Sequence, residues 1–184
     1  MTFEQADGGR ANPHYSRTNP EYSTNCQSSV VAHEARMRGY NVQAAPNYET
    51  GKAEELSYAP FSAWLNPLSG KECKGTIIPI SRPNILFDYL NNTVKRGQRY
   101  HFKYYWQDDN DLSVHAHIIT LDRDKQGMLR LYDPQMNRTY TKKSAVDLIK
   151  EHILLNDPAL KPEILRVDNK NFNPYYMNDV LKKY

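Results

Sequence analysis

The chain has 184 residues, 39% of them hydrophobic, which is enough for one compact domain with a single core but too few residues for two comfortable domains. Its 24 Lys and Arg residues are dispersed among 21 acidic residues, so the net charge of +3 gives no electrostatic support for nucleic-acid binding. No apolar run approaches the ~18 residues that a membrane span needs, and the first residues lack the basic-then-apolar order of a signal peptide. The two cysteines form no CxxC pair, which argues against a disulfide scaffold or a cysteine-rich zinc site.

The first predicted elements are an irregular arm and a helix. Residues 1–22 contain few aliphatic residues and many Asn, Pro, Gly, Ser and Thr, so they predict an arm beside the domain that residues 23–184 form. Thr24 or Asn25 can cap a helix whose apolar residues recur at helical spacing until Gly39 ends it.

The rest of the chain changes from helical to alternating periodicity. Frequent Pro and Gly make residues 43–82 mainly loop, with one short helix near residues 61–65. There follow, in chain order, a helix at 83–95, antiparallel strands at 99–107, 113–121 and 128–133, a helix at 144–155, a strand at 163–167 and a helix at 174–183. A leading helix followed by an antiparallel meander is typical of an α+β fold.

Cys26 is the first candidate for chemistry, because it falls in the first turn of the leading helix. A thiol there feels the positive end of the helix macrodipole, which favours the nucleophilic thiolate. The alternative is a small buried residue that only fills volume in the core.

Two neighbouring strands supply the other candidates. Counting through their hairpin places His117 opposite Asp133 or the residue after it, and His115 opposite Gln135 or the residue after it, so both histidines point to one face. A carboxylate beside a strand histidine holds the imidazole in one tautomer, ready to take a proton from a thiol. With Cys26, the pattern predicts a Cys-His-Asp set for acyl transfer.

Two other interpretations of the hairpin stay open. One is an ordinary hairpin with two surface histidines and an Asp-Pro strand end. The other is a metal site of Cys26, His115, His117 and Asp133, because histidines at i and i+2 converge on one face of a strand.

The strand before the hairpin provides a control. A turn at residues 108–111 places Tyr104 opposite His115 and Phe102 opposite His117. His101 then emerges on the opposite face of the sheet, and we exclude it from the site.

The residues match a known pattern at several points. NCQSSVVA at 25–32, RGYNV at 38–42, HA at 115–116 and DPQ at 133–135 closely resemble the papain-fold toxin domain family of bacterial polymorphic toxins and phage-associated proteins. Members of that family are glutamine deamidases or related cysteine hydrolases. The resemblance covers roughly residues 12–170.

The resemblance implies a papain-like fold in which an N-terminal nucleophile helix packs on an antiparallel sheet. It assigns the nucleophile to Cys26, the base to His115 and the orienting acid to Asp133. The sequence departs from the family where Val114 and His117 replace a Gly before the histidine and a Phe two residues after it. Because hairpin counting prefers His117 beside Asp133, His117 remains the alternative histidine, and a strand bulge would reconcile the two.

The function that we expect is deamidation of a glutamine side chain in a target protein, through a thioester on Cys26. The N–H groups of Cys26 and Gln27, or the side chain of Asn25, are candidate oxyanion donors, and Gln135 is a candidate assistant of Asp133. We expect no cofactor and no metal.

The resemblance further implies an effector toxin, made in the bacterial cytoplasm and delivered to a target cell without a signal peptide in this chain. Its expected partners are a protein substrate and a cognate immunity protein, with no nucleic acid and no membrane. The alternatives are a cysteine protease of the same fold and a non-catalytic structural module of a phage or secretion apparatus. In such a module Cys26 would react no faster than Cys73, whose charged neighbours predict an exposed, ordinary thiol.

Overall fold

The structure is a computed structural model that describes residues 2–6 and 11–184. The helices are α1 (Phe3–Ala6), α2 (Pro20–Ser23), α3 (Cys26–Met37), α4 (Gly51–Tyr58), α5 (Pro83–Thr93), α6 (Lys143–His152) and α7 (Pro174–Val180), with a 3-10 helix at Pro60–Ala63. The strands are β1 (Val42–Ala44), β2 (Trp64–Leu65), β3 (Thr76–Ile77), β4 (Tyr100–Gln107), β5 (Val114–Arg123), β6 (Leu129–Asp133), β7 (Arg138–Thr141), β8 (Glu163–Arg166), β9 (Asn171–Phe172) and β10 (Leu181–Lys183). This mixture of helices and antiparallel sheets confirms the α+β class.

Most of the predicted elements are present, and the differences concern weakly patterned segments. The stretch predicted as mainly loop contains α4, which buries only Ala53 and Leu56 and therefore gives little periodic signal. The predicted closing helix ends at Val180, and β10 follows it directly. The predicted arm contains α1 and α2, while its residues 1 and 7–10 lie outside the described residues.

The chain groups into two compact units. The first comprises residues 1–74, 133–138 and 167–184, and the second comprises residues 75–132 and 139–166. The predicted arm belongs to the first unit, and the predicted boundary after residue 22 stays a prediction.

The first unit is built around α3, whose residues from Gln27 to Arg36 are all buried although few of them are large and apolar. The polar side chains of Gln27 and Arg36 bond to backbone carbonyls of other segments. Gln27 Nε2 donates to the Ala53 carbonyl at 2.9 Å, and Arg36 Nη1 donates to the Val42 carbonyl at 3.0 Å. Because an unpaired buried polar group costs ~1–3 kcal/mol, these bonds allow a polar helix to occupy the interior.

Short strands complete the first unit. β10 pairs with β1 in antiparallel fashion, and β9 pairs with β2 in the same way. The pair β2–β9 sets Trp64 opposite Phe172, and the Arg38 guanidinium at the end of α3 lies 4.5 Å from the centre of the Phe172 ring. Arg38 also donates to the Val167 carbonyl at 2.7 Å, which fastens the end of α3 to the C-terminal segment.

The second unit carries a six-stranded sheet in the order β3-β8-β4-β5-β6-β7. One face of this sheet and the apolar sides of α5 and α6 form the main core. Its fully buried members include Leu86, Leu90, Phe102, Ile119, Leu121, Leu131 and Ile149. Each buried aliphatic or aromatic side chain contributes roughly 1.5–3 kcal/mol, so apolar burial rather than polar bonding holds this unit together.

The pairing of β4 with β5 is shifted from the predicted one. Trp106, not Tyr104, lies opposite His115, and Tyr104 rather than Phe102 lies opposite His117. The connecting loop is longer than a four-residue turn, because the Asp108 N–H donates to the Ser113 carbonyl at 2.9 Å.

The shift is by two residues, so the faces of the strands are unchanged. His115 and His117 share one face of β5, and His101, opposite Thr120, lies on the other face of the sheet. The predicted exclusion of His101 from the histidine face is confirmed.

The pairing of β5 with β6 also differs from the prediction. Thr120 pairs with Tyr132 and Arg123 with Leu129, so the predicted pairing of His117 with Asp133 or its neighbour is wrong. β5 continues to Arg123, so the turn begins at Asp124 and not at Asp122 as predicted. The Met128 N–H closes this turn by donating to the Asp124 carboxylate at 2.8 Å.

α3 ends in a Schellman motif that requires glycine. Gly39 has φ +98°, its N–H donates to the Arg36 carbonyl at 2.9 Å, and the Tyr40 N–H donates to the Ala35 carbonyl at 3.0 Å. A Cβ on Gly39 would meet nothing within 4 Å, so only the backbone conformation selects glycine here.

We predict that Gly39→Ala lowers the free energy of unfolding by about 1–2 kcal/mol, because an L-residue is strained in the left-handed region. Urea denaturation measures this change. Gly39→Asn is the matched control and should lose less, since asparagine tolerates that region better than alanine. Equal stability of Gly39→Ala and the wild type would contradict the assignment of the motif.

Candidate functional site

Cys26 is the first residue of α3, which confirms its predicted place at a helix start. It is half-buried, and its Sγ lies 3.7 Å from Oε1 of Gln27, to which the thiol donates. The Asn25 side chain makes no capping bond to α3. The first backbone N–H groups of a helix have no intrahelical acceptor, so the N–H groups of Cys26 and Gln27 suit an incoming oxyanion.

A buried cluster of carboxamide side chains, which we call the amide cluster, surrounds Asn25, the residue directly before Cys26. Its members Asn12, Asn25 and Gln135 are exposed to 4%, 0% and 5%. Asn25 Nδ2 donates to Asn12 Oδ1 at 3.1 Å and to the Ala45 carbonyl at 3.0 Å. Asn12 Nδ2 returns a bond to Asn25 Oδ1 at 3.0 Å, and Gln135 Nε2 reaches the same oxygen at 3.4 Å.

The cluster corrects one expected role. Both hydrogens of the Asn25 amide are engaged by Asn12 and Ala45, so this side chain has none left for an oxyanion. Asn25 therefore fixes the entry to α3 rather than binding a substrate. Gln27 Nε2 donates one hydrogen to the Ala53 carbonyl, and the oxyanion donor predicted for this residue is its backbone N–H.

Asp133 is buried at the end of β6, and its carboxylate shapes the turn that follows. Its Oδ1 accepts the N–H of Gln135 at 2.9 Å and that of Met136 at 3.2 Å. Asn12 Nδ2 also donates to the Gln135 carbonyl at 3.2 Å. The first unit thus brings together three predicted site residues, Asn25, Gln135 and Asp133.

Asn12 is the residue that sequence reasoning missed. It lies in the predicted arm, yet it is buried and also donates to the Tyr22 carbonyl at 2.9 Å. The only sequence signal for a role of Asn12 is its position at the start of the region of family resemblance, because a lone Asn before a Pro otherwise predicts a turn.

The two histidines belong to the second unit, at the start of β5. His115 is exposed, it stacks on Trp106 at 4.8 Å between ring centroids, and its Nε2 lies 2.7 Å from Ser113 Oγ. His117 is half-buried and meets the edge of the Tyr104 ring at 5.7 Å. The triad of one histidine with Cys26 and Asp133 stays a prediction.

Cys73 differs from its prediction as an exposed, ordinary thiol. It is half-buried, and burial raises the pKa of its thiol, against a smaller opposite effect of the Lys170 charge. Its thiolate is therefore scarcer than that of an ordinary cysteine at neutral pH.

Two further findings concern the described residues as a whole. Within residues 2–6 and 11–184, no group of three or more His, Cys, Asp and Glu side chains could hold a metal ion. None of the helices in that part of the chain is long and apolar enough to cross a membrane.

Comparison with protein-family models and with curated proteins found no match to the chain. The resemblance to the papain-fold toxin domain family therefore rests on the residues that carry it. Among them, Asn25 and the segment 133–135 are joined by hydrogen bonds in one buried network, and Cys26 directly follows Asn25 in the chain.

We predict that Asn25→Ala lowers the free energy of unfolding by about 2–4 kcal/mol, because it leaves buried groups of Asn12 and Ala45 without their partners. Chemical denaturation measures the loss. The control is Asn156→Ala at an exposed position, which should change stability by less than about 0.5 kcal/mol. Similar small effects at both positions would show that the amide cluster does not hold the first unit together.

Proposed function

We propose that this protein is a papain-like cysteine hydrolase that deamidates a glutamine side chain of a target protein. The observation that carries the proposal is the place of Cys26 as the first residue of the buried helix α3, next to the amide cluster. A thiol there combines the favourable macrodipole with a fixed backbone and partial access to solvent.

In the proposed reaction, His115 takes the proton of the Cys26 thiol, and the resulting thiolate attacks the carboxamide carbon of glutamine. The tetrahedral intermediate expels ammonia, which receives that proton from His115, and a thioester remains. Water then attacks the thioester and gives a proton to His115, and the thiolate leaves as the glutamate carboxyl forms. The net change is one water consumed and one ammonia released.

The remaining roles are assigned from the family resemblance together with the hydrogen bonds in the first unit. We assign the oxyanion to the backbone N–H groups of Cys26 and Gln27, which start α3. We assign Asp133 to orienting the histidine, and Gln135 to fastening the Asp133 turn against Asn25.

The family resemblance supports the biological part of the proposal. It points to an effector toxin made in the bacterial cytoplasm and delivered to a target cell, with a protein of that cell as substrate and a cognate immunity protein as inhibitor. A protease of the same fold would share the thioester and release an amine instead of ammonia.

We predict that wild-type protein deamidates a target protein or an N-acyl-glutaminyl-glycine peptide and that Cys26→Ala abolishes this while the protein stays folded. Intact-mass analysis measures the gain of about 1 mass unit per deamidated site, and ammonia release confirms it. Cleaved chains would identify the protease instead. A folded Cys26→Ala variant with wild-type activity would end the hydrolase proposal.

Cys73→Ala is the matched control and should retain full activity. The same contrast is expected without substrate: at about pH 6, iodoacetamide should alkylate Cys26 at least about tenfold faster than Cys73. His115→Ala should slow Cys26 alkylation and His117→Ala should not. The reverse result would assign the base to His117, and equal rates at both cysteines would favour a non-catalytic module.

We predict that Asp133→Asn stays folded and loses on the order of 10²- to 10⁴-fold in rate, equivalent to roughly 3–5 kcal/mol of transition-state stabilisation. The fold persists because an Asn Oδ1 still accepts the N–H groups of Gln135 and Met136. The rate falls because a neutral amide stabilises an imidazolium less than a carboxylate does. Turnover is compared with wild type and Cys26→Ala at about pH 7, and unchanged turnover would shift the orienting role to Gln135.

A further inference from the structure

A chain of hydrogen bonds within the second unit leads to His115. Ser113 Oγ donates to Asp111 Oδ1 at 2.6 Å and lies 2.7 Å from His115 Nε2. The Ser113 N–H donates to the same Asp111 oxygen at 2.9 Å. The Asp111 carboxylate, the Ser113 hydroxyl and the His115 imidazole are thus connected in series.

The number of available protons fixes the donor and the acceptor of each hydrogen bond in this series. A carboxylate only accepts hydrogen bonds, and a serine hydroxyl has a single proton to donate. Because that proton goes to Asp111, the Ser113 oxygen offers a lone pair to His115, and Nε2 of His115 must carry the proton between them. In the neutral imidazole, Nδ1 is then the nitrogen with a free lone pair.

The loop that presents Asp111 and Ser113 is closed by its own hydrogen bonds. The Leu112 N–H donates to the Asp108 carbonyl at 2.9 Å, and Gln107 Nε2 donates to the Leu112 carbonyl at 2.9 Å. Leu112 itself has φ +61°, a conformation that costs an ordinary residue about 1–2 kcal/mol. Leu112 is held in this disfavoured conformation next to Ser113, so the hydrogen bonds of the loop itself impose its geometry.

Two further interactions hold His115 and Asp111 in this hydrogen-bond series. The Trp106 ring covers one face of His115 at an interplanar angle of 28°, which restricts rotation of the imidazole. The hydroxyl and the N–H of Ser113, and then the charge of His115, hold the pKa of Asp111 below its usual value. A lowered pKa keeps this carboxylate charged at neutral pH, and its stabilising effect is lost only as the pH falls through that lowered value.

We propose that Asp111 and Ser113 are positioning residues that hold His115 with Nε2 protonated, so that Nδ1 is the atom that accepts a proton. The catalytic meaning rests on the proposed function, in which that acceptor takes the proton of the Cys26 thiol. Because Nε2 donates to Ser113 and Nδ1 accepts the thiol proton, no ring nitrogen remains for Asp133, whose proposed effect on His115 is then that of its charge on the imidazolium.

The test is NMR of histidine labelled with nitrogen-15, at about pH 8, above the ordinary imidazole pKa of ~6.5. A His115→Gln variant assigns the signals. In wild type we expect a single form with Nε2 protonated and Nδ1 unprotonated. In Ser113→Ala the Nε2 proton should exchange with water about 10-fold faster, the equivalent of ~1.4 kcal/mol, because its acceptor is lost.

The variants are chosen to separate the parts of the chain. Asp111→Asn should populate the form with Nδ1 protonated, because an amide can donate to Ser113 and let the hydroxyl donate to Nε2. Ser113→Thr should keep the wild-type form of His115, since threonine retains the hydroxyl. Asp109→Asn should also leave that form unchanged, because Asp109 is an exposed acid of the same loop outside the hydrogen-bond series. Backbone amide spectra show whether each variant keeps the fold.

The outcomes distinguish this proposal from the hydrolase proposal. An unprotonated Nε2 in wild type, or an unchanged His115 in Ser113→Ala, overturns the positioning role. Alkylation of Cys26 by iodoacetamide is measured in the same variants and should slow about 10-fold in Ser113→Ala. A changed imidazole with an unchanged alkylation rate would sustain the positioning by Asp111 and Ser113 and contradict only the use of His115 as the base for Cys26.

Discussion

The Asn25 carboxamide is bonded at both of its polar atoms, and the first unit is organised around it. Its nitrogen donates to Asn12 and to Ala45, and its oxygen accepts from Asn12, Ser29 and Gln135. Four chain segments therefore meet at one buried side chain that immediately precedes Cys26. Because a buried amide without partners is costly, each of these segments constrains the others, and together they fix where α3 begins.

The two units achieve stability by different means. The second unit buries large apolar side chains between one sheet face and two amphipathic helices, a non-directional contribution that tolerates small shifts. The first unit buries a helix of small and polar residues, whose bonds to carbonyls and carboxamides are directional and weaken steeply when their angles are distorted. Directional bonding in this unit fixes the start of α3, where Cys26 lies. The price of that precision is the cost of ~1–3 kcal/mol for each buried donor or acceptor that is left without a partner.

The sequence allowed those features to be predicted that depend on local signals. Periodicity and a capping position predicted the start of α3, and Gly39 predicted its end. The contact of Asn12 with Gln135 joins polar residues far apart in the chain and leaves no periodic trace. The loop before β5 is longer than predicted, because Leu112 adopts a backbone conformation that its residue type disfavours. Leu112 and Ser113 therefore belong to the loop, and the pairing of β4 with β5 is shifted by two residues.

Two carboxylates set the direction of the hydrogen bonds around the candidate catalytic groups. A carboxylate cannot donate, so whatever binds it must turn a hydrogen toward it and present its own lone pairs or carbonyl elsewhere. Asp133 does this to the backbone N–H groups of Gln135 and Met136, which fixes the turn that reaches the amide cluster. Asp111 does it to the hydroxyl of Ser113, which leaves an acceptor facing His115. An amide in place of Asp133 would still accept these two N–H groups, which can only donate, whereas an amide in place of Asp111 could itself donate to Ser113 and reverse the direction toward His115. A fixed direction is what a group that transfers protons requires.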